Sequence, residues 1–147
     1  MVRYVLDTNL YIAAFRNVDA AEMLRRYYAN YTPNTFLNSV VLHELLIGSN
    51  TPAKARQVQD SIAEPFRRTR RLITPGAGAW ATAADAVAQM SRREKREVRT
   101  LPRSLINDYL LAASCRETGI TLITENTADF KQISRYVKVS FTAPWPE

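Results

Sequence analysis

An α/β fold, with a central, mostly parallel sheet of about five strands and helices on both faces, is what three observations predict. Five short apolar runs read as strands, and stretches of helical periodicity separate them. Strands separated by helices pair in parallel, because the chain must cross back over the sheet between them. The length of 147 residues suits one domain that buries most of its apolar surface.

Residues 3–7 form the first strand, whose apolar pair Val5-Leu6 runs into Asp7. A helix begins over residues 10–15. Asp19 is placed to cap a second helix through residue 28, where Ala20, Met23, Leu24, Tyr27 and Tyr28 make an apolar stripe. Residues 35–39 are a short strand, and residues 40–47 a helix that Gly48 stops. Thr51-Pro52 reads as a cap followed by proline at the first helical position, opening a helix to about residue 66.

The third strand covers residues 71–74 and ends at Pro75-Gly76. Residues 79–97, alanine-rich and then basic, make one long helix that Thr100-Leu101-Pro102 breaks. Ser104 caps the next helix, which runs to Thr118 and closes at Gly119. Residues 120–124 are the fourth strand, 128–133 a short helix, 137–141 the last strand, and 143–147 a tail. No repeat, low-complexity segment or linker interrupts this order, so a single domain over residues 1–147 is expected.

Hydrophobic content of 46% and charged content of 23% describe an ordinary globule, and no apolar stretch has the length of a membrane span. The start MVRYVLDTN lacks the regions of a secretory signal. The single Cys115 cannot form an internal disulfide and falls in an apolar helical run, where it reads as a small core residue. A cytoplasmic protein with no membrane association is the expectation. The formal charge of +6 favours a polyanionic partner. Arg67, Arg68, Arg70 and Arg71 form one basic cluster; Arg92, Arg93, Lys95, Arg96, Arg99 and Arg103 form another. Each reads either as a solvated helix face or as a phosphate-contacting surface flanking an acidic pocket. Tyr27, Tyr28, Tyr31 and Tyr109 offer stacking surfaces for bases, but packing inside the fold is the stronger reading.

That acidic pocket is the chemical core of the sequence. Asp7 stands at the carboxyl end of strand one, the edge where open α/β sheets bind ligands. Glu44, between Leu42 and Leu45, and Asp108, among Leu105, Ile106, Tyr109 and Leu110, sit in apolar helical stretches. Helices return antiparallel to the strands, so their starts lie at the same edge. Glu125, Asn126 and Asp129 follow strand four. An acid on a half-buried surface is costly without a cation or donor opposite. Three from distant parts of the chain point to a metal pocket, and hard oxygen ligands without clustered His or Cys select Mg²⁺ or Mn²⁺. His43 reads as a surface residue.

The order and spacing of these pieces resemble the PIN-domain family, and within it the VapC-type toxins of bacterial toxin–antitoxin pairs. The resemblance rests on Val5-Leu6-Asp7-Thr8-Asn9, on Val41-Leu42-His43-Glu44-Leu45 followed by Gly48, on Asn107-Asp108 followed by Ala112-Ala113, and on Leu122-Ile123-Thr124-Glu125-Asn126 before Phe130. It implies a PIN-like nuclease domain and a Mg²⁺- or Mn²⁺-dependent endoribonuclease. Asp7, Glu44 and Asp108 match the three acidic metal ligands, Thr124 the frequent hydroxyl residue, and Thr8 and Asn9 support the first ligand. The family often carries a fourth acid after strand four. Asn126 holds the best-matching position, with Glu125 and Asp129 beside it, so which of the three completes the site, and whether a second ion is held by protein or only by substrate, stay open. A neutral amide can still orient a metal-bound water.

Further implications of the resemblance are a homodimer, an RNA substrate cut at single-stranded loops (tRNA among them), and a small VapB-type antitoxin. The antitoxin tail would enter a groove near the helix of residues 52–66 and the helix before Pro33. Two other readings compete. A haloacid-dehalogenase-like phosphatase also opens with an apolar strand and an aspartate, but normally needs a second aspartate where this chain has Asn9. A nucleic-acid-binding module without catalysis needs the basic clusters and no metal.

Overall fold

The computed structural model describes residues 1–146; Glu147 of the expected tail lies outside the described residues. Five strands, β1 (Tyr4–Leu6), β2 (Thr35–Asn38), β3 (Leu72–Ile73), β4 (Thr121–Ile123) and β5 (Phe141–Thr142), form one sheet in the order β3-β2-β1-β4-β5. Every pairing is parallel, with Val5 opposite both Phe36 and Leu122. The α/β expectation holds, and the sheet is wholly rather than mostly parallel.

Helices fill each crossover: α1 (Thr8–Arg16) and α2 (Val18–Tyr31), α3 (Ser39–Ile47), α4 (Pro52–Val58) and α5 (Glu64–Arg68), α6 (Ala77–Glu94) and α7 (Arg103–Thr118), and α8 (Thr127–Ile133). From β1 the chain steps one way to β2 and β3, then crosses to β4 and β5 on the other side of β1. Right-handed crossovers running in opposite directions put α1–α5 on one face and α6–α8 on the other. Direction reverses between β1 and β4, the place where a crevice opens at the carboxyl edge.

The core is a single cluster in which Val5, Leu6, Val41, Leu111, Leu122, Ile123 and Phe130 are fully buried. Cys115 is buried there as a small core residue, as its neighbours predict. The tyrosines pack inward too. Tyr27 stacks on Tyr31 at 5.1 Å and on Trp145 of the tail at 5.0 Å, and its hydroxyl meets Thr35 Oγ1 at 2.7 Å.

Several boundaries differ from the sequence reading. Asn17, not Asp19, caps α2: its extended backbone lets Oδ1 accept from Ala20 N–H, and Asp19 lies in the first turn. Ser104 does not cap α7, which starts after Pro102 with no side-chain cap and places Ser104 inside its first turn. Helix α6 starts two residues early and stops at Glu94, where Lys95 turns left-handed at φ 53°. Gly48 ends α3 with an ordinary right-handed φ of −73°, so its flexibility is not what stops the helix. Thr51 caps α4 as expected, but a π-helical turn over Gln59–Ala63 separates α4 from α5. Residues 137–140 are not strand. Tyr136 and Val137 N–H still bond to Ile133 O at 2.9 and 3.0 Å, so extension is delayed until Phe141.

Asn38 joins the two faces at the carboxyl edge. Its Oδ1 caps α3 through Val40 N–H at 3.0 Å, while its Nδ2 donates to Ser114 Oγ of α7 at 2.8 Å, both buried. Replacing Asn38 with alanine leaves those two partners unpaired. Urea denaturation of Asn38→Ala should show a loss of about 2 kcal/mol.

Candidate active site

Asp7 follows β1 directly and is the N-cap of α1, so one residue is both the end of a strand and the start of a helix. Only 4% exposed, it is held on both oxygens. Oδ1 accepts from Thr8 N–H at 2.8 Å, and Oδ2 accepts from Thr124 Oγ1 at 2.7 Å. Thr124 ends β4, the neighbouring strand, and is fully buried. Its hydroxyl also accepts from Asn126 N–H at 3.0 Å, which leaves its proton for Asp7. The first acid therefore sits across the reversal between β1 and β4, fixed from both strands.

Glu44 extends from α3 toward the same edge, and its Oε1 accepts from Thr8 Oγ1 at 3.2 Å. Thr8 thus touches Asp7 through its amide and Glu44 through its hydroxyl. His43 beside it is exposed, as expected. Asp108 of α7 lines a depression of about 460 Å³ together with Asp129 of α8, Arg96 and Tyr109. Burial pushes the Asp108 carboxyl up to about 8, and the charges of Asp7, Glu44 and Asp129 push it further the same way. Burial also raises Glu44, with Asp7 adding to it. Asp7 is raised by burial, against the lowering pull of Thr124 and Thr8. The three expected acids thus share one field.

After strand four, Asp129 is the acid that the fold brings beside Asp108; Glu125 is exposed. Asn126 is exposed at the start of α8, makes no side-chain cap, and contributes its backbone N–H to Thr124. Among the described residues no three His, Cys, Asp or Glu side chains come together as a closed metal cage. The donor set nevertheless fits a hydrated hard cation. It is all oxygen, it is short of positive charge, and Mg²⁺ takes few protein ligands while keeping several waters. Asn9 adds a specific sign: its Nδ2 faces Asp7 Oδ2 at 3.4 Å, while its Oδ1 is buried without a partner. A water in the cation's hydration shell would donate to that oxygen.

The two basic clusters part company. Arg92, Arg93, Lys95, Arg96, Arg99 and Arg103 are exposed on the segment joining α6 to α7, with Arg96 on the Asp108 depression. The cluster at residues 67–71 does not flank the site: it precedes β3 and so lies at the opposite, amino edge of the parallel sheet. Arg71 is structural. Its guanidinium donates to Thr32 O at 2.6 Å and to Thr35 O, and lies 5.0 Å from the centre of the Phe66 ring. Arg67 bonds Gln59 at 2.9 Å. Sequence reasoning missed two other cations. Arg16 and Lys54 line a depression of about 360 Å³ whose wall includes Glu44. Each stands alone in the sequence, so no charge run marked it.

A PIN domain family model matches residues 4–136. No curated protein matches the chain. Among solved structures, a DNA-bound VapBC complex from Salmonella typhimurium is similar at 22% identity and a TM-score of 0.71, covering 97% of this chain and 98% of that one. VapBC2 from Rickettsia felis, bound to a promoter DNA fragment, is similar at 22% identity and a TM-score of 0.64, covering 99% and 100%. A toxin–antitoxin complex from Klebsiella pneumoniae is similar at 19% identity and a TM-score of 0.61, covering 98% and 99%. At these identities the likeness is one of fold.

The raised Asp108 carboxyl has a consequence for stability. An acid that ionises near its ordinary value of 3.8 when unfolded, but at about 8 when folded, stabilises the fold only while protonated. Its contribution is complete below pH 3.8 and is lost as pH rises toward 8. Thermal melts of the metal-free protein between pH 5 and 8 should therefore decline with a slope that Asp108→Asn reduces. Mg²⁺ should restore more stability to the wild type than to the variant.

Proposed function

The chain belongs to the PIN domain family, and from that premise we propose that it is a divalent-metal-dependent endoribonuclease, the toxin of a toxin–antitoxin pair that blocks translation by cutting RNA. The observation that carries this reading is Asp7, pinned by Thr124 and Thr8 at the reversal of the sheet, within the field of Glu44, Asp108 and Asp129.

In this reading Asp7, Glu44 and Asp108 hold Mg²⁺ or Mn²⁺, and Asp129 is the fourth acid. The ion supplies polarisation of the phosphoryl oxygens and a water acidified enough to attack phosphorus. The protein supplies position. Thr124 keeps one Asp7 oxygen directed at β4, Thr8 ties the Asp7 and Glu44 carboxylates together, and Asn9 Oδ1 accepts from a water at the site. The exposed Asn126 amide is free to orient a water or the RNA at the rim. Arg96 and its neighbours on the α6–α7 segment offset the anionic substrate's repulsion by the acids. Single-stranded loops of structured RNA, tRNA included, present unpaired bases to such a site.

An antitoxin of VapB type is the proposed regulator. A largely apolar depression of about 380 Å³, walled by Tyr11, Leu24, Tyr28, Ile62 and Phe66, lies between α1–α2 and the α4–α5 segment, where such a tail would dock. A homodimer belongs to the same reading; Val18, Ile47 and Trp80 expose apolar surface that association would cover. No helix is long and apolar enough to cross a membrane, which accords with the proposed action on cellular RNA.

Incubating RNA with the protein and Mg²⁺, Mn²⁺ or EDTA tests the proposal. Cleavage should require the metal. Asp7→Asn, Glu44→Gln and Asp108→Asn should each reduce it by more than the roughly 10–100-fold that losing an outer-shell partner costs, and Thr124→Val by an amount within that range. Binding that persists in EDTA with no cutting under any metal would instead identify a non-catalytic binding module. Sequencing RNA ends after brief expression, against Asp108→Asn, would identify the bond cut.

A further inference from the structure

We propose that the depression bounded by α1, α3 and α4 is a nucleotide subsite, in which Arg16 and Lys54 hold an RNA phosphate next to the one being cut and Phe15 stacks on its base. This rests on the nuclease reading above and assigns residues that the acidic centre does not use.

Four observations meet there. Glu44 forms part of the wall, so the depression opens onto the acidic centre. Arg16 in the last turn of α1 and Lys54 in the first turn of α4 face it from opposite sides, and neither makes a salt bridge among the described residues. A cation in a helix's first turn opposes the helix dipole, so the placement of Lys54 does nothing for α4 itself. Phe15 is 46% exposed on the rim, although a large aromatic ring gains by burial.

Cations that lack protein partners, beside a carboxylate, and an aromatic ring left in solvent are the parts of a single-strand site. Phosphates take the charges and a base takes the ring, with no preference among bases. Arg96 on the Asp108 side would take the strand as it leaves, so the backbone crosses the acids between two positive borders. A volume of about 360 Å³ accommodates one nucleotide rather than a duplex.

Equilibrium binding of a fluorescent single-stranded RNA oligonucleotide to the full chain, in an Asp108→Asn background and over a range of salt, tests this without needing turnover. Arg16→Ala/Lys54→Ala should lower the slope of log affinity against log salt by about 1.4, at about 0.7 for each lost phosphate contact. Phe15→Ala should weaken binding about tenfold with the slope unchanged, and Phe15→Trp should restore it. In the active protein, the double variant should raise KM and leave kcat alone. All three side chains are exposed, so the variants should fold like the parent. An unchanged affinity and slope in the double variant would overturn the subsite even if metal-dependent cutting is intact. A lowered slope in a protein that cuts nothing would uphold the subsite while the hydrolytic reading fails.

Discussion

The hydrogen bond from Thr124 to Asp7 is the contact on which the rest of this molecule depends. It joins the ends of β1 and β4, the two strands between which the chain reverses its direction across the sheet. The crevice at that reversal follows from topology, but its depth alone does not orient a carboxylate. Orientation comes from a chain of donors. Asn126 N–H fixes the Thr124 oxygen, Thr124 fixes Asp7, and Asp7 starts α1 by accepting from Thr8, whose hydroxyl reaches Glu44. Each link is backbone or a short side chain, so little conformational freedom is left to the group that the chemistry needs first.

The same arrangement leaves the site electrically unfinished. Burial and mutual repulsion disfavour the charged forms of Asp7, Glu44 and Asp108, and no protein cation sits among them to compensate. Positive charge is kept at the borders instead, on Arg96, Arg16 and Lys54. Such a division suits a hard cation arriving with its own water, with the orphaned Asn9 oxygen ready to receive a proton from that shell. A lysine placed among the acids would neutralise them and take the ion's place.

Much of this was legible in the sequence because it depends on local pattern. The acid after Val5-Leu6, the half-buried acids of α3 and α7, and the strand–helix alternation are all one-dimensional signals, and the sheet follows from them. Other features depend on which ends of the sheet meet. The cluster ending in Arg71 looked like the partner of the one around Arg96, yet parallel strands put the two at opposite edges, and Arg71 binds backbone carbonyls. Ser104 and Asp19 have capping side chains, but α7 starts at a proline and Asn17 has the extended conformation that α2 needs. The fourth acid was hidden by its spacing. Asp129 is three residues beyond Asn126, and only the turn of α8 carries it alongside Asp108.

The π-helical turn at Gln59–Ala63 is one residue's worth of slack in an otherwise continuous rod. Thr51 anchors one end through its cap and Arg71 the other through β2, so the added length bulges locally and neither anchor moves. The wall it bulges into is the apolar one facing α1 and α2, remote from the carboxylates. Lineages can therefore lengthen or shorten this wall by single codons and exchange one protein inhibitor for another. The reaction centre inherits none of that change, which separates the history of partner choice from the history of chemistry.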